Sequence, residues 1–154
     1  MKMMSDLSVE NWIPHRGAMR LLDRMVMVDD ACAVAEVDVP LDGIFTRDGE
    51  VPVWIGIEYM AQTISAWAGG RARRQGGAPR LGLLLGSRSY TAHCAGFPAG
   101  TTLRVQARCE LMGDNGLGLF DCRIDLGETA MATARVSVFE PANAMEFLRN
   151  GASS

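Results

Sequence analysis

Val53-Trp54-Ile55-Gly56-Ile57-Glu58-Tyr59-Met60-Ala61-Gln62-Thr63-Ile64-Ser65-Ala66-Trp67-Ala68 is the stretch on which the fold turns. Pro52 stands before it and Gly69-Gly70 follows, the punctuation expected of a helix spanning Val53 to Ala68. A helix on the surface of a domain carries a charged face, and this one carries a single carboxylate, Glu58. Apolar character on nearly all sides predicts burial on nearly all sides.

What flanks that helix alternates with period two. Leu103, Val105, Ala107, Cys109 and Leu111 interleave with Arg104, Gln106, Arg108 and Glu110, as in a strand with one solvated face. Asp114-Asn115-Gly116 predicts a turn. A second strand follows through Phe120, Cys122, Ile124 and Leu126, and a third through Ala130, Ala132, Ala134, Val136 and Val138. Short turns between them imply an antiparallel meander. Upstream, Leu21–Val28 and Ala31–Val39 read as a hairpin about Asp29-Asp30, and a further strand is expected within Leu81–Ala92. One buried helix with five or six antiparallel strands is most economically an α+β domain whose sheet wraps the helix, taken as one domain over residues 1–154.

The composition agrees and closes off other classes. Of 154 residues, 48% are hydrophobic and 21% charged, enough apolar material for one core without metal or disulfide staples. A net charge of −3 offers no basic field for nucleic acid, and no run is long enough to predict a membrane span. The four cysteines form no C-x-x-C pair, and the start of the chain lacks a secretory pattern, so reduced thiols and a cytoplasmic location are expected. No cofactor or metal is called for, since His93-Cys94 is the only adjacent pair of histidine and cysteine.

Glu58 is the residue that asks for a function. A glutamate in an apolar helix is costly unless paired, or unless it keeps its proton. Two readings stand: a structural carboxylate with a backbone or arginine partner, or an acid facing a cavity and donating a proton near neutrality. Gln62, one turn on, is expected on the same face, orienting Glu58 or binding substrate. The helix start at Val53 and Trp54 presents backbone N–H groups suited to a developing oxyanion.

At this point the residues resemble a known family. Ile13-Pro14-His15-Arg16 with Leu21-Leu22-Asp23-Arg24 looks like the opening of the β-hydroxyacyl-[acyl carrier protein] dehydratases, and Glu58-Tyr59-Met60-Ala61-Gln62 resembles their central-helix motif. Gly43, Phe45 and Pro52 match the loop between, and the resemblance extends from about residue 10 to 140. It is strongest to the divergent, aryl-polyene-type members. It implies a hotdog fold, usually dimeric, and a lyase that dehydrates 3-hydroxyacyl thioesters with the helix carboxyl as acid. Where that family has its histidine base, this chain has Ile44. His15, in the matched Pro-His-Arg segment, is the leading replacement, ahead of His93 and the Asp42, Asp48 and Glu50 carboxylates.

The partners implied are an acyl carrier protein or acyl-coenzyme A thioester, and a second hotdog subunit, identical or homologous. Two other functions remain open: a hotdog thioesterase, and a silent acyl-binding subunit that pairs with an active homologue. The segment Gly69–Arg80 carries four arginines and no acid, leaving −7 for the rest of a chain of net −3, and reads as a solvated loop or a phosphate contact. Ten methionines and the tryptophans Trp54 and Trp67 are core residues or the lining of an acyl tunnel.

Overall fold

The computed structural model describes residues 8–9, 12–13, 17–74, 84–113 and 115–139. Eight strands are present among them: β1 (Arg24–Val28), β2 (Cys32–Asp38), β3 (Glu50–Pro52), β4 (Leu84–Ala92), β5 (Gly96–Pro98), β6 (Thr102–Met112), β7 (Leu117–Leu126) and β8 (Thr129–Phe139). A short 3-10 turn over Val53–Ile55 leads into one long helix, α1 (Gly56–Arg74). Six strands form an antiparallel sheet in the order β1-β2-β6-β7-β8-β4, and β3 pairs with β5 beside it. The helix packs on β1, β2, β6 and β7.

The meander forms where the alternation places it. Val105 pairs with Ile124 and Ala107 with Cys122, all buried, while Arg104, Arg108 and Asp121 face water. The expectation fails at Leu111. A register shift between Cys109 and Leu111 breaks the period, so Leu111 is 63% exposed and Met112 packs against the core instead. An irregularity of this kind reverses which face every later side chain takes. The pair β3 and β5 was not expected: three residues each, both containing proline, leave no period to detect.

The helix differs from its predicted bounds at both ends. Its first turn is 3-10, and it runs through Gly69 and Gly70 to Arg74. Those glycines do not end it. A Cβ on Gly69 would lie 2.5 Å from the Trp12 carbonyl oxygen, so glycine there permits close approach of backbone. The expected loop from Gly69 is therefore helical as far as Arg74, and Arg71 stacks over Trp67, its guanidinium carbon 5.6 Å from the ring centroid. Residues 75–83 lie outside the described part. At the other end, the Tyr90 hydroxyl donates to the Val53 carbonyl and occupies the space a Cβ on Gly56 would need. Gly56 thus lets β4 tie down the helix start.

Inside, Met60 and Ile64 are fully buried, and Trp67 meets Phe120 edge-on with centroids 5.1 Å apart. The Trp67 indole N–H donates to the Asp30 carbonyl at 3.1 Å, so the one polar atom of that large side chain is satisfied. The cysteines Cys32, Cys94, Cys109 and Cys122 are all free, and burial pushes the Cys122 thiol up to about 12, as befits a small core hydrophobe.

Candidate active site

Burial of α1 is one-sided in this chain, and that changes the account of Glu58. The sheet covers the face bearing Met60, Ile64 and Trp67, whereas Trp54 is 62% exposed and Glu58 is exposed beside it. The sequence reading placed the Glu58 carboxyl in the core. It stands on the open face, because six strands wrap only part of the helix circumference. The open stripe runs through exposed Trp54 and Glu58 and half-buried Ile57, Ala61 and Ser65, and apart from Glu58 it has no charge.

Next to it lies the loop that holds Ile44. Its backbone is set by Thr46, whose hydroxyl donates to the Pro40 carbonyl and accepts from the Gly43 N–H, each at 3.0 Å. The Arg47 guanidinium donates to the Ile44 carbonyl at 3.1 Å. Phe45 from this loop meets Trp54 edge-on at 6.1 Å, so loop and helix start are one surface. On that surface Ile44 is 61% exposed. Asp42 and Asp48 are exposed loop charges, and the Glu50 carboxylate packs against Gly96 in the small sheet. His93 is exposed after β4.

Gln62 does not orient Glu58. It is 1% exposed, and its amide is engaged elsewhere: Oε1 accepts from the Leu21 N–H at 2.9 Å and Nε2 donates to the Met19 carbonyl at 2.7 Å. A buried amide needs a donor and an acceptor together, and the chain leading into β1 offers both. Gln62 therefore fastens the segment 19–21, four positions after His15, to the helix turn that follows Glu58. His15 itself lies outside the described residues. We expect Gln62→Leu to lower stability by about 2 kcal/mol, because two partly buried backbone groups lose their partners. Urea unfolding with an unchanged midpoint would refute that assignment.

At the helix start, Pro52 supplies no side-chain cap, and the Val53 carbonyl accepts from both the Gly56 N–H and the Tyr90 hydroxyl. Tyr90 carried no sequence signal; only the packing of β4 against Gly56 reveals it. Its phenol is pushed up to about 12, first by burial and then by the nearby Cys94. Among the described residues no group of His, Cys, Asp and Glu is arranged to hold a metal, and no helix is long and apolar enough to cross a membrane.

A long helix packed against a six-stranded antiparallel sheet defines a protein of the hotdog class. The chain belongs to the ApeP-like dehydratase family, whose sequence pattern, described as ApeP dehydratase, matches residues 7–149. It is similar to a chain in the dehydratase heterocomplex ApeI:P from Xenorhabdus doucetiae, at 30% identity and a TM-score of 0.83, over 93% of this chain and 96% of that one. More distant structures share the fold alone. The PaaI protein of the E. coli phenylacetic acid degradation operon is 18% identical, with a TM-score of 0.55 over 75% of this chain and 81% of that one. A hypothetical thioesterase of Streptococcus pneumoniae TIGR4, solved with coenzyme A, is 18% identical, with a TM-score of 0.56 over 75% and 82% respectively. No curated protein matches the sequence significantly.

Proposed function

We propose that this chain dehydrates 3-hydroxyacyl thioesters, carried by acyl carrier protein or coenzyme A, as the carboxyl-bearing subunit of a dimeric hotdog assembly. The observation that carries the reading is the placement of Glu58, the only carboxylate of α1, on the open face one turn after Trp54, the residue that Phe45 of the Ile44 loop meets edge-on. Membership of the ApeP-like dehydratase family supports it.

In the reaction a base takes the proton from the carbon α to the thioester carbonyl. The electron pair left behind forms the C=C bond as the β-carbon–oxygen bond breaks. Glu58, protonated, delivers its proton to the departing hydroxyl, and water leaves. Negative charge building on the thioester oxygen is met by the backbone N–H groups of Val53 and Trp54 at the helix start. His15, four positions before the segment that Gln62 anchors, is the base, while Ile44 and Trp54 line the acyl path. An apolar face bearing a working carboxyl is covered by a second hotdog subunit, which excludes water from the reacting atoms.

A second reading is favoured by Ile44, an exposed aliphatic residue on the loop that meets Trp54. There the imidazole comes from a homologous partner, as the similarity to a heterocomplex subunit leads one to ask, and this chain alone is silent. Mass spectrometry of a 3-hydroxyacyl-pantetheine incubated with the purified chain separates the readings. Loss of one water with the thioester intact supports dehydration by the chain itself. Turnover only after adding a homologous hotdog subunit supports the partnered form. Release of the free 3-hydroxy acid means the protein is a thioesterase.

A further inference from the structure

A cavity of about 230 Å³ lies between β2, the Ile44 loop and α1, apart from the stripe that carries Glu58. Its walls include Val37, Phe45 and Val51; Asp23 stands at its mouth and Tyr59 lines it from the helix. Tyr59 is 2% exposed, its ring against Phe97 with centroids 5.7 Å apart. Yet its hydroxyl makes no hydrogen bond among the described residues. A buried hydroxyl left without a partner is unfavourable by about 1–3 kcal/mol, and native structures seldom keep one without a reason. Burial, and then the charge of Asp23, push this phenol up to about 12, so it stays a donor at every physiological pH.

The other polar groups narrow what the cavity takes. The Thr46 hydroxyl is already bonded on both sides. Asp23 accepts from the Asp38 N–H at 2.7 Å, and burial holds its carboxyl above the usual range. Arg20, at the rim, has a partner of its own. Asp38 is paired with Arg24. An anionic guest would meet two aspartates and an apolar wall, against Arg20 as the one cation among the lining residues. A neutral guest with one oxygen meets a phenol donor that has no partner among the described residues, a carboxyl within reach, and apolar walls. The volume suffices, since an apolar cavity of about 150 Å³ admits a six-carbon guest.

We infer that this cavity receives the oxygen-bearing far end of a neutral alkyl chain, the Tyr59 hydroxyl donating to a hydroxyl or carbonyl there. The cavity stands on its own geometry; assigning the chain to an acyl thioester rests on the function proposed above. Tyr59 would then set which acyl ends are accepted, a role separate from bond-breaking at Glu58.

The test uses small probes first. Binding of 1-hexanol and 1-fluorohexane, read from the ¹³C-methyl resonances of Val37 and Val51, which line the cavity in wild type and variant alike, compares guests of like shape that differ in hydrogen bonding. Wild type should prefer the alcohol by about fivefold, the worth of one net hydrogen bond, and Tyr59→Phe should erase the preference without lowering the melting temperature. Equal binding of both probes by wild type, or a preference that survives Tyr59→Phe, overturns the site. The same comparison with 8-hydroxyoctanoyl- and octanoyl-pantetheine tests the acyl source: a preference lost with Tyr59→Phe supports it, and equal or absent binding overturns that assignment. Failure of the dehydration assay would leave the hexanol result standing, so the two ideas fail separately.

Discussion

Glu58→Gln is expected to lower dehydration by roughly 10²–10⁴-fold, the usual contribution of a positioned acid. The amide keeps the shape and cannot release a proton. Because Glu58 is exposed in the chain, the swap buries no charge and breaks no hydrogen bond among the described residues. Its effect on unfolding should stay within about 0.5 kcal/mol, as for an ordinary surface position. Glu58→Asp should retain part of the rate, since a proton remains but its carrier is one methylene shorter. Parental turnover by Glu58→Gln would remove the carboxyl from the mechanism.

His15→Ala should have an effect of similar size, about 10²–10⁴ in kcat, with acyl binding and assembly intact. The reaction needs the imidazole neutral and the carboxyl protonated together, so the wild-type rate should rise and then fall with pH. His15→Ala should remove the limb that reports loss of the imidazole proton. Glu58→Gln should remove the limb on which the acid is lost. If activity in His15→Ala falls only in step with the folded fraction, His15 orders its own segment. The base must then come from the partner subunit.

Both experiments rest on residues that the sequence exposed to different degrees. The meander was legible because each strand has one wet face, and alternation records it directly in Leu103–Cys109 and Phe120–Leu126. It stopped being legible at Leu111, where one register shift is invisible to a pattern of period two. The helix core was legible for the same reason as its ends were not. Apolar residues report burial, but Gly69 serves close packing on Trp12, and a glycine read without its neighbours looks like a stop.

Glu58 and Gln62 drew notice as polar groups in an apolar run, and both were assigned surroundings they do not have. Four residues' separation on a helix states that they share a side. It does not state that segment 19–21 closes over one of them and leaves the other bare. Tyr59 drew no separate notice, because a hydroxyl without a partner among the described residues is a property of three dimensions alone.

The strand order β1-β2-β6-β7-β8-β4 also constrains how the chain reaches this state. Turns of a few residues join β6, β7 and β8, so those pairings need little loop closure. The bond from Arg104 to Glu36 spans 68 residues, and that from Ser137 to Gly86 spans 51. Contacts so far apart form slowly, because the intervening chain must be ordered before they stabilise anything. During synthesis α1 therefore emerges well before β6 and β7, two of the strands that will cover its apolar side. For that interval the helix is an aggregation hazard that only a chaperone or a partner can shield. Pulse-labelled hydrogen exchange should find the β6–β8 amides protected before those of β2; simultaneous protection would mean that the sheet closes in a single step.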